Sequence, residues 1–178
     1  MDARLHHVQS EARLVTPPEL IDLLQAFYRE TSELLLGRQA RARSITSYEA
    51  NNAYQQVLGR QDMHLRWVAD SMTDLGAAVP HVGPDESQAT DVKGTDVSSI
   101  VGADARAQQT FIDRWRPRVA TISNARHRKM LELILGEMGE HFRVFEQALE
   151  GRTDILGRHS DGKVLRGSVL PARNSQLH

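Results

Sequence analysis

The chain has 178 residues, a formal net charge of −1 and no cysteine. That length supplies core enough for one domain, and acids and bases interspersed along it create no field that would recruit nucleic acid or an anionic membrane. Without thiols there is no disulfide, no Cys-ligated zinc or iron–sulfur centre and no thiol nucleophile, so any metal must be held by nitrogen and oxygen.

The opening stretch MDARLHHVQSEARLVTPPEL lacks the apolar core of a secretory signal, and no run approaches the ~18 apolar residues of a membrane span. The expectation is a cytoplasmic protein, with an N-terminal extension over residues 1–17. Thr16 followed by Pro17 and Pro18 suits a helix start, because a hydroxyl caps free N–H groups and proline fits the first turn. From there Leu20, Leu23, Leu24, Phe27, Glu30 or Thr31, and Leu34 recur at three-and-four spacing, and Gly37 offers a stop. After the basic segment GRQARARS, Ser47 precedes a second helix that runs to Gly76. Its inward stripe is Tyr48, Val57, Gln61, His64, Val68, Met72 and Leu75.

Residues 77–102 hold two prolines and three glycines without a sustained period. So long a connection is what a bundle needs when consecutive helices run the same way. The pattern then predicts a third helix from Ala103 to about Ile122, with Phe111, Ile112, Trp115 and Val119 inward and Pro117 set to kink or shorten it. Ser123 or Asn124 can cap a fourth, carrying Met130, Ile134, Glu137, His141, Phe145 and Ala148 and closing at Gly151. Residues 18–150 therefore read as an all-α four-helix bundle with a long crossover between helices 2 and 3. Residues 151–178 read as an extended tail whose apolar Val164, Leu165, Val169 and Leu170 pack on the outside of the bundle or across a homodimer.

Glu137 and His141 are four residues apart, about 40° of helical rotation, so both fall on the inward stripe of the fourth helix, as His64 does on the second. A carboxylate or imidazole brought inside must be paired or metal-bound. The structural alternatives are a hydrogen-bonded core histidine at His64, and Glu137 paired with His141 or with an arginine across the bundle. Trp67 and Trp115 read as packing residues, and Arg38 to Arg43 as solvating a helix end. His127 lies about 21 Å along the axis from His141, too far to share a metal.

The pairing of QDMHLRWVADSMTDLG with LGEMGEHFRVFEQALEG, separated by a long connection, resembles the ferritin-like superfamily of bacterial bundle proteins. The resemblance implies a glutamate from each of two helices and a Glu-x-x-His pair from each of the others, around two irons or manganeses. Carried onto this chain it puts His64 and His141 at the histidine positions and Glu30, or next Glu33, at the first-helix glutamate. Gln61 and Met138 stand where glutamates are expected, Glu137 stands one position early, and only Asp113 or Asp104 is available to the third helix. Two functions follow: a metal-binding protein with a reduced site of Glu30, His64, Glu137 and His141, holding iron, manganese or zinc for metal handling or oxidase-type chemistry; or a metal-free structural or interaction bundle whose site has decayed.

Overall fold

The computed structural model describes residues 17–83 and 96–152. All regular structure among them is helical: α1 Pro17–Ala42, α2 Tyr48–Asp74, α3 Val97–Ala120 and α4 Ala125–Leu149. Residues 1–16, 84–95 and 153–178, and with them the expectations for the N-terminal extension, the middle of the connection and nearly all of the tail, lie outside the described residues.

Local chemistry sets most of the boundaries. Ser47 caps α2, its side chain accepting from the Ala50 N–H, and Asn124 caps α4 by accepting from His127 N–H at 3.2 Å. Gly76 and Gly151 follow α2 and α4 with φ of +72° and +81°, a region that costs glycine little. Two boundaries differ from the sequence pattern. Gly37 does not stop α1, which runs on to Ala42 through the basic segment. A helical glycine costs about 1 kcal/mol relative to alanine, and the buried side chains of Arg38 and Ala42 beyond it outweigh that. At the other end of the connection, α3 begins at Val97 rather than Ala103, because Asp96 caps it by accepting from Ser98 N–H and Ser99 N–H, and Ile100 and Val101 are buried. Pro117 lies inside α3 without ending it before Ala120.

Each helix turns one stripe inward. On α1 it reads Leu20, Leu24, Phe27, Thr31, Leu35, Arg38, Ala42, and on α3 Ile100, Asp104, Gln108, Phe111, Trp115, Val119; every one of these side chains is buried. One end of the core is aromatic: Phe27 packs edge-on against Phe111 and Trp115 at centroid distances of 5.3 and 4.9 Å. Tyr54 and Phe145 meet at 5.2 Å elsewhere in the core. Full burial of such a side chain stabilises the fold by roughly 1.5–3 kcal/mol.

Cross-helix contacts fix the directions. Rising positions on α1 meet falling ones on α3, as Glu30 contacts Trp115, Arg38 contacts Gln108 and Arg41 contacts Asp104. The same holds between α2 and α4, where His64 meets Glu137, Ser71 meets Met130 and Asp74 meets Arg126. Both pairs are antiparallel, and the short turns 43–47 and 121–124 join α1 to α2 and α3 to α4. No helix of the described residues is long and apolar enough to cross a membrane.

Candidate functional site

Where α2 faces α4, the fully buried His64 places Nε2 2.7 Å from Glu137 Oε2. An ionised carboxylate only accepts, so Nε2 carries the proton and donates, and Nδ1 is left as the bare nitrogen. Nδ1 is buried with no hydrogen-bond partner, as is Nδ1 of His141. The two imidazoles lie 6.3 Å apart between centroids and only 25° from parallel. Arg60 closes the outer side: Nε donates to Glu137 Oε2 at 3.1 Å, and Nη2 reaches both carboxylate oxygens.

This arrangement sets the protonation states. Arg60's hydrogen bonds hold the Glu137 carboxyl below the usual glutamate range against the opposing effect of burial, with His64 assisting. Burial lowers the pKa of His64 despite Glu137. Burial, reinforced by the charges of His64 and Arg38, takes His141 down to about 4. Both imidazoles are neutral at pH 7.

Deeper in the bundle sits a feature absent from the candidate list. Arg38, with no solvent-accessible side chain, donates from Nη1 to Gln61 Oε1 at 2.6 Å and from Nη2 to Gln108 Oε1 at 2.8 Å. Its guanidinium carbon lies 5.0 Å over the Phe145 ring, and Nε is 4.0 Å from Asp104. Asp104, equally buried, accepts from Arg41 Nε at 2.9 Å and from the Tyr54 hydroxyl at 2.9 Å. Burial, then the neighbouring Asp104 charge, raises the Tyr54 pKa far above its ordinary value, so the phenol stays protonated and donates. Gln108 Nε2 in turn donates to the Met138 carbonyl. One guanidinium thus ties α1 to α2 and α3 by hydrogen bonds, and to α4 through Gln108 and by its place over Phe145.

The four predicted site residues therefore divide. His64, Glu137 and His141 come together between α2 and α4. Glu30 faces α3 instead, where it accepts from Trp115 Nε1 at 2.7 Å and pairs with Arg114 at 2.5 Å. Glu33 lines a surface groove of about 340 Å³ along α1 and α3, with Leu34, Gly37 and Ala107 among its walls and neither imidazole in it. Of the third-helix candidates, Asp104 is engaged by Arg41 and Tyr54, while Asp113 accepts from Gln109 at the surface. Glu137 pairs with an arginine across the bundle, one of the alternatives that the sequence left open.

These residues do not fit a carboxylate-bridged two-metal centre. Such a centre needs anionic oxygens converging on cations, whereas Gln61 and Gln108 turn their oxygens to a guanidinium, and Arg60 and His64 engage Glu137. Among the described residues no group of three or more His, Asp or Glu side chains is placed to hold a metal ion. Arg38 and Gln108 escaped the sequence reading, and Asp104 entered it only as a stand-in ligand for the third helix, although the signal was present: Arg38 continues the α1 stripe beyond Gly37, and Gln108 and Asp104 extend the α3 stripe back from Phe111.

The chain matches no family model, no curated protein and no solved structure in the three comparisons made with it.

Proposed function

We propose that the chain is a metal-free, ferritin-like four-helix bundle that acts as a structural or interaction protein, its central polar layer built on a guanidinium where relatives of that design hold metal ions. The observation that carries this reading is Arg38, fully buried and hydrogen-bonded by Gln61 and Gln108. Gln61 is the position at which the resemblance calls for a ligand glutamate. An arginine supplies the buried positive charge permanently, without a metal, because its guanidinium does not deprotonate in proteins. Asp104 supplies the balancing negative charge. The antiparallel pairing of α1 with α3 and of α2 with α4, with short turns joining α1 to α2 and α3 to α4, supports the ferritin-like topology, in which α2 and α3 run the same way.

A second reading has its own support: the buried, unpartnered Nδ1 atoms of His64 and His141. With Nε2–H of His64 held by Glu137, the free Nδ1 has the orientation that a carboxylate confers on a metal-bound histidine. One divalent ion, iron, manganese or zinc, on the two imidazoles is what that arrangement allows, without Glu30.

Metal analysis of the purified protein, combined with thermal unfolding in chelator and in added iron, manganese or zinc, separates the readings. The metal-free bundle predicts no stoichiometric metal and an unchanged melting temperature. Metal at one per chain, with a melting temperature that chelator lowers and that loses this sensitivity in His64→Ala and His141→Ala, would overturn it in favour of the second.

A further inference from the structure

Beyond Arg60 and Glu137, the outward side of the α2–α4 seam carries large apolar side chains where a single bundle would be expected to be polar. Met63 is 37% exposed and Leu133 52% exposed. Trp67, one turn beyond Met63, and Met130, one turn before Leu133, are only partly buried beside them. The flank of this strip is acidic. The second half of α4 and its cap carry Glu137, Glu140, Glu146 and Glu150; Arg60 of α2 engages the first and Arg143 the second, and the last helical turn holds no basic residue. Helix dipoles place negative partial charge at that end, so Glu146 and Glu150 sit against the field, and a neighbouring cation would relieve both.

The chain leaves the described structure at this end. Beyond Arg152 follow 26 residues with four bases and two acids, among them KVLRGSVL, in which Lys163 and Arg166 bracket Val164 and Leu165, and Val169 and Leu170 follow. The distance is short enough. Sixteen residues of helix separate Leu149 from Leu133, about 24 Å at 1.5 Å per residue; eleven extended residues from Arg152 to Lys163 span up to about 36 Å.

We propose that Lys163–Leu170 of this same chain docks along the α2–α4 seam, its apolar residues covering Met63, Trp67 and Leu133 and its bases lying against the acidic flank of α4. Reach and opposite charge select this occupant, and the docking is independent of whether the imidazoles bind metal.

The absence of native cysteine makes the test direct. Leu165→Cys in the full chain, carrying a nitroxide, should broaden the amide signals of Met63, Trp67 and Leu133 in isotope-labelled protein, to the same extent at every dilution. Reduction of the nitroxide should restore them, and Lys163→Glu with Arg166→Glu should weaken the effect. Signals at the seam that are unaffected by the probe would overturn the proposal. So would broadening that appears when spin-labelled, isotope-silent chain is mixed with isotope-labelled chain bearing no probe, because the seam would then be covered by a second copy.

Discussion

Two of the arginine–carboxylate contacts between the α1–α2 hairpin and the α3–α4 hairpin work under opposite conditions. At the centre, Arg38 and Asp104 are both fully buried, Arg38 hydrogen-bonded by Gln61 and Gln108 and Asp104 by Arg41 and Tyr54. At the α2–α4 seam the Arg60 and Glu137 side chains are 36% and 25% exposed, and their inner partner is a neutral imidazole. In water an ion pair is weak and screened. In the interior each charge has lost its hydration, and taking away one partner leaves the other stranded. The centre should therefore behave as a single indivisible unit, and the seam as an adjustable one.

The largest effect is expected from breaking the centre. Asp104→Asn keeps the side-chain shape but leaves Arg38 without a counter-charge and weakens the acceptor for Arg41 and Tyr54. Loss of one partner of a buried pair typically costs about 3–5 kcal/mol, to be read from urea unfolding. Replacing both charges, Arg38→Met with Asp104→Leu, should not recover that loss, since the buried Gln61, Gln108 and Tyr54 would keep their polar groups and lose the partners of their hydrogen bonds. If Asp104→Asn costs under about 1 kcal/mol, on the scale of an exposed pair, the centre is not the sealed unit described here.

Acid should act next, and at the seam. His141 and His64 have folded pKa values below that of an ordinary histidine, so between about pH 6.5 and 4 the unfolded chain binds protons that the folded one refuses. Stability is then fully present above that window and falls as the pH drops through it. From the value near 4 for His141, against an ordinary 6.5, the loss reaches about 3 kcal/mol for that residue. Glu137, depressed by Arg60, adds a loss that begins as the pH falls through the ordinary glutamate range and is complete below its lowered folded pKa. His141→Gln should flatten the curve between pH 6.5 and 4, whereas equal slopes in wild type and variant would show that another group titrates.

Arg60→Ala should sharpen the contrast with Asp104→Asn. Removing a partly exposed arginine costs about 1 kcal/mol at most, less in high salt. Its larger signature is in titration. Without Arg60, Glu137 loses the hydrogen bonds that hold its pKa down, and His64 loses a repelling cation, so both values should rise. Histidine and carboxylate resonances followed by NMR would show it; unmoved pKa values would mean that Arg60 does not set the protonation of the seam.

The difference between centre and seam also explains what could be read from the sequence. Four helices, the inward placing of His64, Glu137 and His141, and a cap at Ser123 or Asn124 follow from three-and-four periodicity and hydroxyl or amide chemistry, both local. The α1 extension was hidden because Gly37 and a run of arginines look like a solvated helix end. Only partners on helices distant in sequence, Gln61, Gln108 and the neighbouring Asp104, make Arg38 a core residue. Glu30 failed to join the imidazoles for a related reason: its stripe faces two neighbours, and Trp115 with Arg114, on α3, provides the better-matched partners. Spacing tells which residues share a face. It does not tell which of two facing helices a long side chain will choose.

The smallest effect expected separates the helix from its charges. Gly59 precedes Arg60 in the interior of α2, is exposed, and has nothing within 4 Å of where a methyl group would stand. Alanine there restricts the unfolded chain and adds no clash, so Gly59→Ala should raise stability by roughly 0.5–1 kcal/mol. Because Arg60, Glu137 and both imidazoles are untouched, the increase should be the same at pH 7 and pH 5, shifting the whole pH–stability curve without changing its shape. A gain confined to pH 7 would mean that the backbone of α2 and the titration of the seam are coupled, and that the adjustable contact extends into the helix itself. A loss of stability at both pH values would reveal a neighbour over Gly59 that a single described bundle does not provide.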